Sequence, residues 1–211
     1  MKLCQIIGAG PSDFTVREDA YIICADGGYE RLVGMNVSPD LIIGDFDSSE
    51  NVPSGNVKRF PVKKDDTDTL LALKEAISLG FDTVYIFGGM GGQLDHTIAN
   101  LQSLVFARQS GVNAILCGYG QCAAVIDSSC SLSLKGISEG RLSVFAFGGE
   151  AVGVRVSGAE YGAEGISLLP SFPLGVSNGF VGSDVSSWLE DGVLLVIWEG
   201  APEDAEFFSA Q

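Results

Sequence analysis

The stretch "PDLIIGDFDSSE", residues 39–50, decides how the first half of the chain is interpreted. Its apolar run at 41–43 is typical of a strand that is buried on both faces, and Gly44 ends the run. Asp45 and Asp47 follow directly. The stretch therefore predicts a parallel strand whose carboxyl end presents two acidic side chains.

Further strand-like runs alternate with helical patterns over the first part of the chain. Leu70, Leu73 and Ile77 recur at helical spacing, with Leu71 beside them, and this predicts a helix that ends near Gly80. Leu101, Leu104, Val105 and Arg108 predict a second helix from about residue 97 to 110. The strand-like runs occupy residues 3–7, 20–25, 41–43, 57–60, 83–87 and 114–117. This alternation indicates a mostly parallel sheet with helices on both faces.

The pattern changes near residue 118, where short strand-like runs such as "CAAVID", "RLSVFAF" and "VLLVIW" replace the helices. Glycine, serine and proline separate these runs, which is typical of an antiparallel sandwich. The run "LGVSN" at 174–178 is strand-like, and "SDVSSWLEDG" at 183–192 fits a helix or a strand. We therefore expect an α/β domain at 1–120 and an all-β sandwich domain at 121–211.

Composition limits the class of protein. The chain has 211 residues and a net charge of −15, which argues against sequence-independent binding of nucleic acid. Its five cysteines, at 4, 24, 117, 122 and 130, have no C-x-x-C spacing, so we expect reduced thiols. The N-terminal apolar run is too short for a signal peptide, and no run has the length of a membrane span. We expect a soluble cytoplasmic protein with no membrane partner.

The two aspartates after the third strand suggest a metal site. In an extended segment Asp45 and Asp47 point the same way, roughly 7 Å apart. Two charges at that distance repel by about 2.4 kcal/mol at an effective dielectric of about 20. A divalent cation removes this repulsion, and oxygen ligands favour Mg²⁺ over zinc. The alternative is an acidic rim that faces water.

Three other loops that follow strands carry acidic side chains, and two of them also carry glycines. They are "ADGG" at 25–28, "KKDDTD" at 63–68 and "GGMGGQLDH" at 88–96. Asp26 could alternatively be a turn former, and Asp66 and Asp68 could cap the next helix. The glycines at 88–92 allow close approach of the backbone to a ligand, and the following helix offers N–H groups to a phosphate. Lys64 is a candidate phosphate contact, and for His96 we expect a hydrogen bond at the helix start.

Taken together, these loops resemble the thiamine pyrophosphokinase family. The match consists of "ADGG", "PDLIIGDFDS", "KDDTD" and "GGMGGQLDH" in this order, followed by "GVSN" at 175–178. The resemblance implies an α/β catalytic domain followed by a β-sandwich, a homodimer, and transfer of the diphosphate of ATP to thiamine with release of AMP. The implied cofactor is Mg²⁺, and the implied substrates are ATP and thiamine.

The resemblance also implies roles for individual residues. Asp45, Asp47 and Asp68 would hold Mg²⁺ and phosphate, and Asp95 would lie near the reacting diphosphate. The remaining cleft residues would be Asp26, Gly27, Gly28, Lys64, Asp65, Gly91, Gly92 and Gln93. In the second domain, Tyr161 would lie against the pyrimidine of thiamine, with Ser177 and Asn178 nearby, at the interface with the other subunit.

The sequence departs from the family pattern at two positions. Gln93 stands where the glycine-rich loop usually continues with arginine, which removes a charge that would contact phosphate. Gly179 stands where the Ser-Asn pair is often followed by glutamate. Lys64 and Arg59 are the cations that could replace the missing charge.

Several alternative functions use the same acidic cleft. A related diphosphokinase could act on another alcohol such as a pterin, and a glycosyltransferase could use Asp45-Phe46-Asp47 to hold the metal of a sugar nucleotide. A non-catalytic protein that binds a nucleotide or thiamine is a third alternative, consistent with Gln93. A haloacid-type phosphatase fits less well, because "DFDSS" matches its nucleophile motif only loosely.

Overall fold

The computed structural model describes residues 2–25, 27–44, 55–59 and 66–210. These residues form two compact units that divide between Tyr119 and Gly120. The first unit contains, in chain order, β1 (Leu3–Ile7), β2 (Tyr21–Ala25), α1 (Gly28–Gly34), β3 (Leu41–Gly44), β4 (Val57–Arg59), α2 (Asp68–Ser78), β5 (Thr83–Phe87), α3 (Leu94–Gln109) and β6 (Asn113–Gly118).

The strands of the first unit pair in the order β6-β5-β1-β2-β3-β4, and every pair is parallel. β1 lies in the middle, with Ile6 opposite Ile23 of β2 and Ile86 of β5. All five residues of β1 and of β5 are buried. These runs are apolar on both faces because helices cover a parallel sheet from both sides.

The helices follow from short local signals and from the sheet that they cover. Thr67 caps α2, since its Oγ1 accepts a hydrogen bond from the N–H of Leu70 at 3.2 Å. Gly80 follows the helix with φ +77°, a conformation that glycine adopts at little cost. α2 packs against β1, β2, β3 and β5, and α1 packs against β2. Since β–α–β crossovers are almost always right-handed, the strand order predicts α1 on the face opposite α2 and α3.

Two helices differ from the sequence prediction. α1 was not predicted, because its seven residues begin with glycine and lack a side-chain cap. α3 begins at Leu94 rather than near residue 97, so Asp95 and His96 lie in its first turn. The buried face of α3 also includes polar residues, which an apolar pattern does not detect: it consists of Asn100, Ser103, Leu104 and Ala107.

The second unit is built of β-strands and one 3₁₀ turn. Its elements are β7 (Gln121–Asp127), β8 (Cys130–Leu134), β9 (Arg141–Ala146), β10 (Ala151–Ser157), β11 (Ala163–Leu168), β12 (Asn178–Gly179), β13 (Val185–Trp188), β14 (Val193–Glu199), the turn at Pro202–Asp204 and β15 (Ala205–Ser209). One antiparallel set has the order β12-β9-β14-β7, and the other has the order β11-β10-β13-β8-β15. Leu194, Val196 and Trp198 of β14 are completely buried.

The predicted fold class, an α/β part with a mostly parallel sheet followed by an all-β part, is confirmed. The ambiguous segment 183–192 contains a strand, β13, and no helix. The strand-like run at 174–178 contributes only Asn178 to the two-residue strand β12. All five cysteines are buried thiols, and burial raises the pKa of Cys4 to about 12.

Candidate active site

The strand order creates a crevice at the carboxyl ends of β1 and β5. From β1 the chain moves to β2, β3 and β4 on one side, and then crosses to β5 and β6 on the other side. The loops that leave β1 and β5 therefore diverge, and this is where open parallel sheets bind ligands.

A cavity of about 410 Å³ lies at this position. Its size is within the range of small-molecule binding sites, roughly 300–1,000 Å³. It is lined by Gly8, Ala9, Gly10, Ala25, Thr67, Asp68, Thr69, Gly88, Gly89, Gly92, Gln93, His96 and Asn100. These residues come from the ends of β1, β2 and β5 and from the starts of α2 and α3, so five chain segments meet around one space.

The loops after β1 and β5 are held together by their backbones. Gly8 donates a hydrogen bond to the carbonyl of Phe87 at 2.8 Å, and Gly10 donates one to the carbonyl of Gly88 at 3.1 Å. Gly88 has φ +75°, and a methyl group on it would lie 2.5 Å from the Gly8 carbonyl oxygen. Only glycine fits this position, because a side chain would separate the two loops.

Arg31 of α1 holds the loop after β1 and was missed by the sequence analysis. Its guanidinium donates hydrogen bonds to the carbonyl oxygens of Gly8 at 3.1 Å, of Gly10 at 2.7 Å, and of Ser12. It also lies over the ring of Phe14, 4.7 Å from the ring centre. Burial lowers the pKa of Arg31. The only feature of the sequence that could have identified Arg31 is its position three residues after Gly27-Gly28.

The glycine-rich loop between β5 and α3 is supported from two sides. On the buried side, Nδ2 of Asn100 donates to the carbonyl of Gly89 at 2.8 Å. On the exposed side, the ring of Tyr119 lies on Gly91, where an added methyl group would be 1.7 Å from Cε2. Gly91 has φ +80°, which also disfavours a side chain. Neither Asn100 nor Tyr119 was singled out from the sequence.

The start of α3 forms part of the cavity wall. Gln93 is the N-cap, and its side chain makes no capping hydrogen bond. Asp95 accepts a hydrogen bond from the N–H of His96 at 2.9 Å, so the expected helix-start hydrogen bond involves the backbone of His96. Gln93 and His96 line the cavity, whereas Asp95 is exposed and does not belong to the lining. The first turn of a helix attracts anions through its backbone N–H groups and the helix dipole.

Asp68 lies at the cavity wall as the first residue of α2, between Thr67 and Thr69. The capping role weighed for Asp66 and Asp68 belongs to Thr67. Asp66 instead forms an ion pair with Lys74 at 2.6 Å. The oxygen donors at this wall suit a hard cation such as Mg²⁺. Within the described ranges, no group of three or more His, Cys, Asp or Glu residues could hold a metal.

Five predicted site residues, Asp26, Asp45, Asp47, Lys64 and Asp65, lie outside the described residues.

The glycines after β2 pack close to the end of β1. A methyl group on Gly28 would lie 2.0 Å from the carbonyl oxygen of Ile7, and one on Gly27 would lie 3.1 Å from Cβ of Ala9. Gly28 is therefore required for close packing of α1 against the end of β1, whereas a methyl group on Gly27 would need only a small shift of Ala9. Ala25, just before them, lines the cavity, and so does Gly92 of the glycine-rich loop.

In the second unit, the three predicted thiamine contacts lie together. The side chain of Asn178 accepts a hydrogen bond from the N–H of Tyr161 at 2.9 Å and donates one to its carbonyl at 2.7 Å. Ser177 has φ +57° and donates its N–H to Oγ of Ser143 at 3.0 Å. The Asn178 amide thus fixes the backbone of Tyr161, whose side chain is 67% exposed.

Gly179, one of the two departures from the family pattern, lies beside an acidic side chain. A methyl group on Gly179 would be 2.7 Å from Oε2 of Glu160. The Glu160 N–H donates to the Gly179 carbonyl at 2.9 Å. A carboxylate is therefore present next to Tyr161 although position 179 has no side chain.

In the part of the chain that the structure describes, no helix combines the length and the apolar character needed to cross a membrane.

Comparison with known proteins agrees with this architecture. The family model described as "Thiamin pyrophosphokinase, catalytic domain" matches residues 15–116. The thiamine pyrophosphokinase of Bacillus subtilis is 32% identical over 117 residues, which is 49% of this chain and 55% of that protein. The sequence match thus spans about half the length of the curated relative.

Solved structures are similar over a longer range. The crystal structure of thiamine pyrophosphokinase from Bacillus subtilis has a TM-score of 0.85 at 23% identity, and covers 94% of this chain and 99% of that one. The enzyme from Geobacillus thermodenitrificans gives 0.82 at 21% identity, covering 96% and 99%. The enzyme from Candida albicans gives 0.75 at 14% identity, covering 94% and 89%. At these identities the likeness establishes the fold.

Proposed function

We propose that this chain is a member of the thiamine pyrophosphokinase family, whose catalytic-domain model matches residues 15–116, and that it transfers the diphosphate group of ATP to thiamine. The products are thiamine diphosphate and AMP. The observation that carries this proposal is the cavity between the ends of β1 and β5, where a glycine-rich loop, a helix N-terminus and Asp68 meet. This combination suits a polyphosphate, which needs N–H donors and a compensating cation.

The polyphosphate binds along the loop at 88–93 and the first turn of α3. The glycines bring backbone N–H groups close to the phosphate oxygens, and the helix dipole adds attraction. Lys64 and Asp65, together with the Asp26-Gly27-Gly28 segment, would be further cleft residues, as the family resemblance implies. Gln93 gives this site a neutral amide where the family usually has a cation, so less charge is supplied by the loop.

Asp45, Asp47 and Asp68 would hold Mg²⁺, and the oxygen donors at the cavity wall fit such an ion. When bound, the ion offsets the negative charge of the triphosphate. Asp68 is the member of this set that lines the cavity. Asp45 follows the end of β3 at Gly44, and β3 runs parallel to β2 in the same sheet. Parallel strands end at one edge, which supports a shared site.

The reaction is an in-line displacement. The hydroxyl oxygen of thiamine forms a bond to the β-phosphorus of ATP, while the bond from that phosphorus to the oxygen bridging to the α-phosphorus breaks and AMP leaves. The hydroxyl proton passes to a carboxylate, for which Asp68 and Asp95 are the candidates. Asp68 is preferred because it lines the cavity, whereas Asp95 is exposed. Such transfers depend mainly on positioning and charge.

The second unit binds thiamine. The exposed ring of Tyr161 offers a flat surface to the pyrimidine, and Ser177 and Asn178 lie beside it. Thiamine is cationic, so the neighbouring carboxylate of Glu160 and the net charge of −15 favour its approach. This is the role that the family resemblance implies for these residues.

A homodimer with the thiamine site at the subunit interface completes the proposal. The segment 161–181 exposes apolar side chains that monomeric proteins normally bury. They include Tyr161, Leu169, Phe172, Leu174, Val176 and Val181, each about half exposed or more. A second copy of the chain that covers this segment would remove them from water and bring Tyr161 close to a partner.

An assay for AMP tests the proposal. The mixture contains ATP, Mg²⁺ and thiamine, and we expect AMP formation that requires thiamine and is nearly lost in Asp45→Asn. Tyr161→Ala and Ser177→Ala should raise the KM for thiamine and leave the KM for ATP unchanged. AMP formed with a pterin alcohol but not with thiamine would favour the alternative diphosphokinase. Nucleotide binding without AMP release would favour a non-catalytic protein.

A further inference from the structure

Asn100 is a buried polar residue, and only one of the two polar atoms of its side chain makes a hydrogen bond to a described residue. It lies on α3, is 4% exposed, and lines the cavity of the first unit. Its side chain donates one hydrogen bond, to the carbonyl of Gly89 at 2.8 Å. Because a carbonyl oxygen can only accept, the atom facing Gly89 must be the amide nitrogen. The remaining atom of the amide is therefore the acceptor Oδ1.

Oδ1 of Asn100 receives no hydrogen bond from any residue in the described ranges. Among the same residues, the one side-chain polar atom that is both inaccessible and without a partner is Nε of Arg108. Oδ1 is therefore still accessible, and the residue that carries it lines the cavity. Buried acceptors are almost always satisfied, so a ligand that fills the cavity and displaces water must supply a donor.

The chemistry of that ligand group is restricted. Phosphate oxygens are acceptors and would be repelled by Oδ1. The amide of Asn100 contacts Gly89 in the loop where the phosphates are proposed to bind. Of the parts of ATP, only the nucleoside can supply a donor, because the ionised phosphates carry no proton. The nucleoside offers N–H and O–H donors.

We infer that Asn100 binds the nucleoside part of the substrate, with Oδ1 accepting a hydrogen bond from an N–H or O–H group. The donor is either the exocyclic amine of adenine or a ribose hydroxyl. This inference rests on the proposed function, because it takes the cavity ligand to be ATP. It makes Asn100 a residue that determines nucleotide specificity as well as a support for Gly89.

The test is a comparison of nucleotide affinities by calorimetry, with Mg²⁺ and without thiamine. The ligands are ATP, purine riboside triphosphate, which lacks the exocyclic amine, and the 2′- and 3′-deoxy forms of ATP. The proteins are the wild type and the variants Asn100→Ala, Ser103→Ala and Tyr119→Ala. Ser103 is buried on the same face of α3 and does not line the cavity. Tyr119 supports the same loop from outside.

We expect one analogue to bind the wild type about fivefold more weakly than ATP, the effect of one hydrogen bond. In Asn100→Ala that ratio should fall to about one. Tyr119→Ala should weaken all the nucleotides equally and keep the fivefold ratio, and Ser103→Ala should keep both affinity and ratio. The analogue that loses affinity identifies the donor as the amine or a hydroxyl.

The inference is overturned if Asn100→Ala discriminates between ATP and every analogue as the wild type does. It is also overturned if the wild type binds all four ligands equally or binds none of them. A wild type that shows the Asn100-dependent ratio but forms no AMP with thiamine would support the inference and contradict the proposed function. The two failures are therefore distinguishable.

Discussion

Gly28→Ala is expected to separate α1 from β1 and to damage the cavity. The new methyl group would lie 2.0 Å from the carbonyl oxygen of Ile7 and 2.7 Å from its carbonyl carbon. No rotation of a side chain relieves this contact, because both atoms belong to the backbone. To reach an ordinary distance of roughly 3 Å, the helix must move by about 1 Å, which is a large shift in a close-packed interior.

The cost can be estimated from what that movement disturbs. Inserting a methyl group into a packed site costs about 1–3 kcal/mol. Arg31, three residues along α1, donates to the carbonyls of Gly8, Gly10 and Ser12, and weakening these charged hydrogen bonds adds roughly 1 kcal/mol or more. We expect the free energy of unfolding to fall by about 3 kcal/mol, which lowers the urea midpoint by about 1.5 M.

Gly34→Ala is the matched control, because Gly34 ends the same helix and has nothing within 4 Å of an added methyl group. It should be neutral or stabilise by roughly 0.5–1 kcal/mol. The measurements are urea unfolding followed by circular dichroism and calorimetry with ATP. Gly28→Ala should also weaken ATP binding, since the loop held by Arg31 lines the cavity. Equal unfolding midpoints for the two variants would refute this reasoning.

The remaining predictions concern charge and assembly. Asp68→Asn should reduce kcat for AMP formation at least 100-fold, which corresponds to about 2.7 kcal/mol of transition-state stabilisation, because its carboxylate lies at the cavity wall. Gln93→Arg should retain or increase activity and lower the KM for ATP, because it supplies a cation next to the phosphates. Phe172→Glu should dissociate the proposed dimer, because it would place a charge in the apolar surface that a second copy is proposed to cover. Steady-state kinetics and light scattering measure these effects.

Each of these predictions has a control. Asp66→Asn removes a carboxylate two residues from Asp68, but that carboxylate is paired with Lys74 at the surface, so it should leave kcat unchanged. Gln93→Lys should change the activity and the KM for ATP in the same direction as Gln93→Arg. Lower activity in both variants would contradict the assignment of Gln93 to the phosphate site. Val33→Glu alters an exposed apolar residue of the first unit and should leave the mass in light scattering unchanged.

The parallel sheet could be predicted because its strands are apolar on both faces and stand between helical patterns. β1 and β5 were predicted with the bounds that the structure gives them. α1 could not be predicted, because a seven-residue helix that starts with glycine and has no side-chain cap gives no local signal. It is held in place by the tertiary packing of Gly28 on Ile7. The start of α3 was placed late for a similar reason, since its N-cap Gln93 makes no side-chain bond.

The candidate site was only partly predictable. Loops that follow parallel strands identified the edge of the sheet, and Asp68, Gly92 and Gln93 do line the cavity there. Arg31 and Asn100 were missed, because each acts on the backbone of a distant loop and has no partner nearby in sequence. Such contacts depend on the strand order β5-β1-β2, which the pattern of apolar residues does not specify.

The most direct test of the whole account is a crystal structure with Mg²⁺ and a non-hydrolysable ATP analogue. We predict that its phosphates lie against the loop at 88–93 and the first turn of α3, with Mg²⁺ bound by Asp45, Asp47 and Asp68. An analogue bound elsewhere, or a magnesium ion without these three carboxylates, would contradict the account.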